Sequence, residues 1–247
     1  MKNDRLIIYG KNAVAELLNS DRLHSVNALY VQKGAKHLGE YIALAKKAGI
    51  TVKEVSAEKL DSLSDGNRNG GLATALSSVE YSSVEEILGA SANPFILIAD
   101  GIEDPHNLGA LIRTAEAAGV NGVIIQKRRC VQITSAVYSA SAGAAAHMKI
   151  ARVNNLTETI KELKSNGVWI YGAEADGTAY TEVNISKKDG KVALVIGSEG
   201  RGLSRLVREN CDFVISIPMY GKINSLNASV SGAILMFYFA EKGGGRD

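Results

Sequence analysis

Side chains able to handle an anion or a sugar hydroxyl gather in three stretches of this chain. The first, ADGIEDPHNLGALIRTAEAAG (Ala99–Gly119), holds Asn107 and Arg113. Asp104-Pro105 sets a turn, and Asn107 is placed to cap the helix that follows. Arg113 lies between Ile112 and Thr114 in an Ala-rich, otherwise apolar helix. An arginine there either snorkels to solvent or offers its planar fork to a phosphate or carboxylate. The second stretch, LVIGSEGRGLS (Leu194–Ser204), ends an apolar run at Gly197 and turns through Ser198, Glu199 and Gly200 into a helix. Its glycines let backbone amides approach a ligand closely. Glu199 is the only carboxylate in that turn, and a glutamate in a helix's first turn is also favoured by the dipole alone. The third, ISIPMYGKINSLNASVSGAILMF (Ile215–Phe237), sets Asn224, Ser225 and Asn227 ahead of a strongly apolar helix. Such residues bind a ligand or simply cap the helix.

Two common phosphate signatures are missing from these stretches. Gly197 to Gly202 reads G-x-x-G-x-G, not the dinucleotide spacing G-x-G-x-x-G, and no acidic partner stands at the expected offset. The GK[ST] of a P-loop is absent too. A dinucleotide-dependent oxidoreductase, which fold class alone would suggest, is disfavoured on that ground.

The elements that must position these residues are legible in the apolar pattern. From Pro94 onward, FILIA (Phe95–Ala99), GVIIQ (Gly122–Gln126), VWIYG (Val168–Gly172), VALVIG (Val192–Gly197) and FVISIP (Phe213–Pro218) are short, continuous, Val/Ile-rich runs. Strands buried on both faces of a parallel sheet read this way. Helices are expected between them at Leu108–Ala118, Ala136–Ala146, Leu156–Asn166 and Leu203–Glu209, with a last one from Leu226 to Glu241. Ligands of open parallel sheets sit outside the carboxyl ends of the strands, which is where all three stretches fall. The first residues form a smaller α/β module. Strands are expected at Leu6–Tyr9, Ala28–Val31, Thr51–Val55 and Leu72–Leu76. Helices are expected at Lys11–Asn19, Tyr41–Ala48 (closed by Gly49) and Ser56–Leu63. The expected division is an N-terminal domain over 1–77, a linker over 78–93 and a parallel α/β domain over 94–247.

Composition bounds the function classes. The chain has 247 residues, 46% hydrophobic and 22% charged, with a net charge of +2, enough for real cores. That balance does not by itself signal nucleic acid. The local clusters Lys127-Arg128-Arg129 and Arg201, Arg205, Arg208 can supply phosphate contacts, although short charge runs are often solvated faces. Two cysteines and four scattered histidines give neither a disulfide framework nor metal-ligand spacing. No apolar run reaches the ~18 residues of a membrane span, and MKNDRLIIYG lacks a signal-peptide core. The expectation is a cytoplasmic protein with no metal and no membrane partner.

Taken together, in order and spacing, DPHNLGALIRTAEAAG, LVIGSEGRGLS and ISIPMYGKINSLNASVSGAI closely resemble the three motifs of the SPOUT superfamily, in its SpoU (TrmH) branch of ribose 2′-O-methyltransferases. YGKNAVAELL (Tyr9–Leu18) resembles the start of the substrate-binding domain found in members acting on large-subunit ribosomal RNA. The resemblance implies an L30e-like N-terminal domain and a SPOUT domain with a C-terminal trefoil knot, an exception to the rule that chains do not thread loops. It implies S-adenosylmethionine as donor, an RNA substrate, and an active site completed across a homodimer. Matched residue by residue, Arg113 is the essential arginine with Asn107 as its partner. Glu199 is the second motif's glutamate, and Ser225 and Asn227 are the third motif's polar pair. The donor is expected against Gly197, Ser198, Gly200, Ile217, Met219 and Leu226, with Gly172 and Ala173 nearby. The family usually carries His-Gln-Gly where this chain has Asn67–Gly71, and often a lysine where it has Ser139.

The implied reaction sets a chemical problem. A ribose hydroxyl is a poor nucleophile near neutral pH and must lose its proton as it attacks. A guanidinium holds its own proton to above pH ~12, so Arg113 is read first as a holder of phosphate and hydroxyl. The proton leaves to a desolvated Arg113 or to water. The nearest-family implication is a guanosine of 23S ribosomal RNA. A transfer RNA ribose and a non-catalytic RNA-binding role are the alternatives.

Overall fold

The computed structural model of the chain describes residues 6–183 and 190–242. These divide into two compact units: residues up to 80 together with 133–147, and residues 81–132 together with the rest from 148.

The first unit is a four-stranded sheet in the order β1-β4-β2-β3. Its strands are β1 (Leu6–Tyr9), β2 (Val26–Gln32), β3 (Thr51–Val55) and β4 (Leu72–Leu76). β4 lies antiparallel to β1 and β2, whereas β2 and β3 run parallel. Every residue of β4 is buried, which is why LATAL reads as a short apolar run. Helices α1 (Lys11–Leu18), α2 (Gly39–Lys47) and α3 (Ala57–Leu63) connect the strands. α1 turns Ala13, Val14, Leu17 and Leu18 inward, the i, i+1, i+4, i+5 pattern of an apolar stripe.

Segment 133–147, within which one helix over Ala136–Ala146 is expected between two strands of the second domain, departs from the sequence reading. It packs with the first unit. Its helix α6 (Ser135–Ala140) stops early because Ala142 and Gly143 take φ of 52° and 94°, left-handed values that end a helix. Tyr138 on α6 is fully buried.

The second unit is a six-stranded sheet, all parallel, in the order β10-β8-β9-β5-β6-β7. The strands are β5 (Phe95–Asp100), β6 (Gly122–Gln126), β7 (Ile150–Val153), β8 (Val168–Ala179), β9 (Lys191–Gly197) and β10 (Phe213–Ser216). Helices cover both faces. Ile96, Ile98, Ala193 and Val195 face a core shared with Ile87, Ile160, Leu163 and Val207, from α4 (Val84–Leu88), α7 (Leu156–Ser165) and α8 (Arg205–Asn210). On the other face, Phe95 stacks on Phe239 with ring centroids 5.7 Å apart, and Tyr171 meets Phe239 edge-on at 4.9 Å. Phe239 belongs to α9 (Ala228–Lys242), which lies beside α5 (Pro105–Ala117). Two buried faces explain why these strands show continuous apolar runs rather than alternation.

Residues 78–93, expected as a linker, include α4. Ser83 and Glu86 close a capping box around it, and Ile87 is fully buried. Among the described residues no helix is long and apolar enough to cross a membrane.

Candidate active site

The three motif stretches meet at the carboxyl ends of β5 and β9. At the first, Asp104 and not Asn107 caps α5: its Oδ1 accepts from the His106 amide at 3.0 Å, with Pro105 at the first helical position. Asn107, freed from capping, turns its side chain outward and donates Nδ2 to Glu199 Oε1 at 2.9 Å.

Glu199 is not in the first turn of a helix. Backbone bonds between Ser198 and Gly202 in both directions, 3.2 and 2.9 Å, close a tight loop. α8 starts only after Ser204. Two carboxylates anchor this loop from below. Buried Asp100 accepts from the Ser204 amide at 2.7 Å, and Glu174 accepts from the Leu203 amide at 2.5 Å. Gly202 is required here. Its φ is 64°, and a Cβ would stand 2.5 Å from Glu174 Oε1.

The third stretch completes the arrangement. Asn227 Oδ1 accepts from the Ser229 amide at 2.9 Å, the Ser229 hydroxyl at 2.6 Å and the Val230 amide at 3.4 Å, and so caps α9. Its Nδ2 donates to Asn107 Oδ1 at 3.0 Å and to Glu199 Oε1. Asn107, Glu199 and Asn227 therefore form one closed hydrogen-bonded triangle, each corner from a different motif and 28 to 120 residues apart in sequence.

This triangle edges a pocket of about 650 Å³. Of the expected donor-binding residues, Ala173, Gly197, Ser198, Gly200, Ile217, Met219 and Leu226 line it, as do Glu199, Ser225 and Asn227. Gly172 does not: it is buried one residue short of the wall, where a Cβ would stand 2.7 Å from Cys211 Sγ and from Leu203 Cδ1. Arg113 is not brought to the pocket either. It is exposed, on a face of α5 shared with His106, Ala110 and Ala117.

Glu174 escaped the sequence reading. β8 was expected to end at Gly172 but continues to Ala179. Between Val214 and Ile215 its register against β10 jumps from Gly172 to Thr178. The intervening residues leave that ladder, and Ala173, Glu174 and Ala175 become pocket wall. The only sequence signal was polar AEADG following an apolar strand.

A second cavity, of about 830 Å³, begins at Asp100 and Gln126, the ends of β5 and β6, and shares the Ser198–Gly202 loop with the first. Neither cysteine lines either cavity. Burial pushes the Cys211 thiol up to about 12 and Cys130 to about 11. Among the described residues no group of His, Cys, Asp and Glu could hold a metal ion.

Comparison with known proteins bears directly on this geometry. Residues 94–237 match the model of the SpoU rRNA methylase family, and residues 7–82 match that of the RNA 2′-O ribose methyltransferase substrate-binding domain. A protein of Bacillus subtilis named as a TrmH-family tRNA/rRNA methyltransferase is 44% identical over 238 residues, 93% of each chain. A solved, AdoMet-bound rRNA methyltransferase of Sinorhizobium meliloti superposes with a TM-score of 0.79 over 96% of this chain and 87% of that one. At 22% identity that likeness is one of fold. A solved TrmH/SpoU tRNA-modifying enzyme of A. aeolicus, 29% identical, matches 64% of this chain and 79% of its own, with a TM-score of 0.53.

Proposed function

The chain belongs to the SpoU rRNA methylase family, and from that premise we propose that it moves a methyl group from S-adenosylmethionine to a ribose 2′-hydroxyl of RNA. The observation that carries this reading is the Asn107–Glu199–Asn227 triangle at the edge of the 650 Å³ pocket.

The pocket fits the donor. Its volume lies in the ordinary range for small-molecule sites. Ile196, Ile217, Leu226 and Leu235 give it an apolar wall suited to a purine. Gly200 has open space where a Cβ would stand, so the backbone there is accessible to a ligand. When bound, S-adenosylmethionine supplies a methyl group made electrophilic by its sulfonium. Gly197, Ser198, Gly200, Ile217, Met219 and Leu226 hold it, beside Ala173 and above the packing of Gly172.

Arg113 holds the target phosphate and orients the hydroxyl, whose oxygen would bond to the methyl carbon as the methyl–sulfur bond breaks, leaving a neutral thioether, and its proton passes to a desolvated Arg113 or to water. Glu199, gripped by two carboxamides, fixes the positions of Asn107 and Asn227, and Ser225 faces the same space. Because Arg113 lies outside its own chain's pocket, we take it to complete the pocket of a second copy. The outward face of α9 supports a homodimer: Val230, Ile234 and Phe237 are 46%, 37% and 52% exposed at i, i+4, i+7 spacing. Small Ala110 and Ala117 flank Arg113 and would let another chain approach.

The preferred acceptor is a guanosine of 23S ribosomal RNA. The N-terminal unit, which matches a substrate-binding model, supports a large RNA, and the tRNA-modifying enzyme matches only 64% of this chain. An L30e-like fold for that unit and a trefoil knot in the other belong to the same proposal. The knot is supported by strand order: β8 stands between β9 and β10, while α9 returns to β9 at Gly232, beside Ile196. Two unpaired cysteines suit a cytoplasmic setting.

The test is transfer of labelled methyl to unmodified 23S transcript, mapped by resistance to alkaline cleavage. One resistant nucleotide is expected, lost in Arg113→Ala and nearly lost in Arg113→Lys while donor binding survives. Full activity of Arg113→Lys would defeat the arginine's role. Methylation confined to transfer RNA would overturn the choice of acceptor.

A further inference from the structure

The second cavity lies beside the donor pocket and shares its rim at Ser198–Gly202. Three observations mark it as built for a ligand. First, the loop after β6 is stapled. Gln132 Nε2 donates to the carbonyls of Gln126 at 2.9 Å, Lys127 at 3.4 Å and Cys130 at 2.9 Å, and the Val131 amide donates to Ile102 O at 2.8 Å. Second, this stapling holds Arg129 at φ 61°. Non-glycine residues adopt that region rarely, and it persists where the surroundings impose it. Third, Gln126 lines the cavity, yet its Oε1 is buried without any hydrogen-bond donor. Buried polar atoms are nearly always paired. The last bond of a glutamine side chain rotates softly, so an entering N–H or O–H can meet that oxygen.

Charge narrows the ligand. Arg129 and Arg201 are the cations of the lining, and neither joins an ion pair among the described residues. They offer a phosphate site. Of the lining carboxylates Asp100, Glu103, Asp104 and Glu199, three already accept bonds: Asp100 from Ser204, Asp104 from His106 and Glu199 from the two carboxamides. Such acceptors suit the hydroxyl and amino donors of a nucleoside and would repel a second phosphate.

We infer that this cavity receives the acceptor nucleotide, with Arg129 against the flanking phosphate that Arg113 does not hold and Gln126 against an N–H of its base. The nucleotide then presents its ribose across the shared loop. The inference rests on the methyltransferase reading above, and it adds two specificity residues that the three motifs do not contain.

The test uses the full-length protein and labelled, unmodified 23S transcript. Binding is measured by filter retention with S-adenosylhomocysteine present, and methyl incorporation separately. Arg129→Gly removes the guanidinium and suits φ 61°, so the fold survives. It should weaken RNA binding about tenfold and flatten the salt dependence by about one phosphate contact, with donor affinity unchanged. Gln126→Leu should lower kcat/KM about tenfold, the scale of one lost base contact. Wild-type RNA affinity and salt slope in Arg129→Gly would overturn the inference. RNA bound but never methylated would defeat the reaction, and the Arg129→Gly comparison would still decide the cavity. No RNA binding by the wild type would overturn the cavity as well.

Discussion

Replacing Asn227 by aspartate separates two roles of one carboxamide. The oxygen caps α9 through Ser229 and Val230, and the nitrogen ties Asn107 to Glu199. Aspartate keeps the capping oxygen, and a negative charge at a helix N-terminus adds about 0.3–1 kcal/mol. The nitrogen becomes an oxygen facing Glu199. Two carboxylates about 3 Å apart repel by about 1.4 kcal/mol at the dielectric of water and by more where solvent is excluded. Both residues are exposed, so the low value governs. The opposing effects leave stability within about 1 kcal/mol of wild type, a shift in Tm of at most about 4 °C. Asn227→Ala instead loses the cap, about 0.5–2 kcal/mol. Turnover discriminates more sharply. Loss of one preorganised donor commonly costs about 10²–10³ in rate, and Asn227→Asp also displaces Glu199. A drop in kcat/KM of at least about a hundredfold is expected in Asn227→Asp. The assay pairs methyl incorporation with thermal unfolding and calorimetric donor binding. If Asn227→Asp turns over within about twofold of wild type while Asn227→Ala is merely less stable, Asn227 is only a cap and the triangle has no part in catalysis.

Further predictions concern the supports of the site and the first unit. Gly202→Ala places a methyl against the Glu174 carboxylate in a conformation that costs a non-glycine residue about 1–3 kcal/mol; calorimetry should show S-adenosylmethionine binding weakened about tenfold or more. Cys130 and Cys211, pushed to about 11 and about 12 by burial, should resist iodoacetamide at pH 8 until the protein is unfolded, as read by mass spectrometry. In the first unit, a bond to the Asp21 carbonyl and then one to Glu80 raise the His24 pKa above 6.5, and a bond from Ser25 leads the lowering of Glu80 below 4.5. The His24 contribution is full below 6.5 and lost as pH rises through the raised value. That of Glu80 is full above 4.5 and lost as pH falls through the lowered one. His24→Ala should therefore lower stability most between pH 4.5 and 6.5, the deficit fading as pH rises through the raised histidine value, measured by Tm against pH.

Strands buried on both faces were the easiest elements to read, because nothing polar interrupts them. β7 was missed for the converse reason: at the sheet edge only Ile150 and Ala151 are buried, and Arg152 faces solvent. α4 carried a legible Ser83-x-x-Glu86 box, but five residues with Val84 and Ile87 as their buried pair show too little period to outweigh the Ser/Ala-rich surroundings. The return of 133–147 to the first unit was not legible at all, since an apolar helical stripe records that it is buried and not against what. Within the site, residue types pointed to loops that line the two cavities. The partnerships did not follow from them. Asn107 and Asp104 are both good caps, and only the chain geometry decides that Asp104 caps and Asn107 reaches Glu199.

The same geometry explains why the pocket cannot be assembled piecemeal. From Ile217 to Leu226, one wall lies in neither helix nor strand. Its course is set at its two ends, by Ile215 and Ser216 paired to Thr178 and Ala179, and by Asn227 capping α9. The α9 end is in turn fixed by Gly232 lying close on Leu111 of α5 and by Phe239 stacked on Phe95. A corner of the triangle thus depends on a ring contact about three turns along the helix, roughly 18 Å away at 1.5 Å per residue. Packing of the α9 face and placement of Asn227 are one structural event. The sheet's strands, by contrast, hydrogen-bond to one another and not to α9. Donor binding should accordingly be more sensitive than sheet content to any change that loosens α9, because the pocket wall has no regular structure of its own to fall back on.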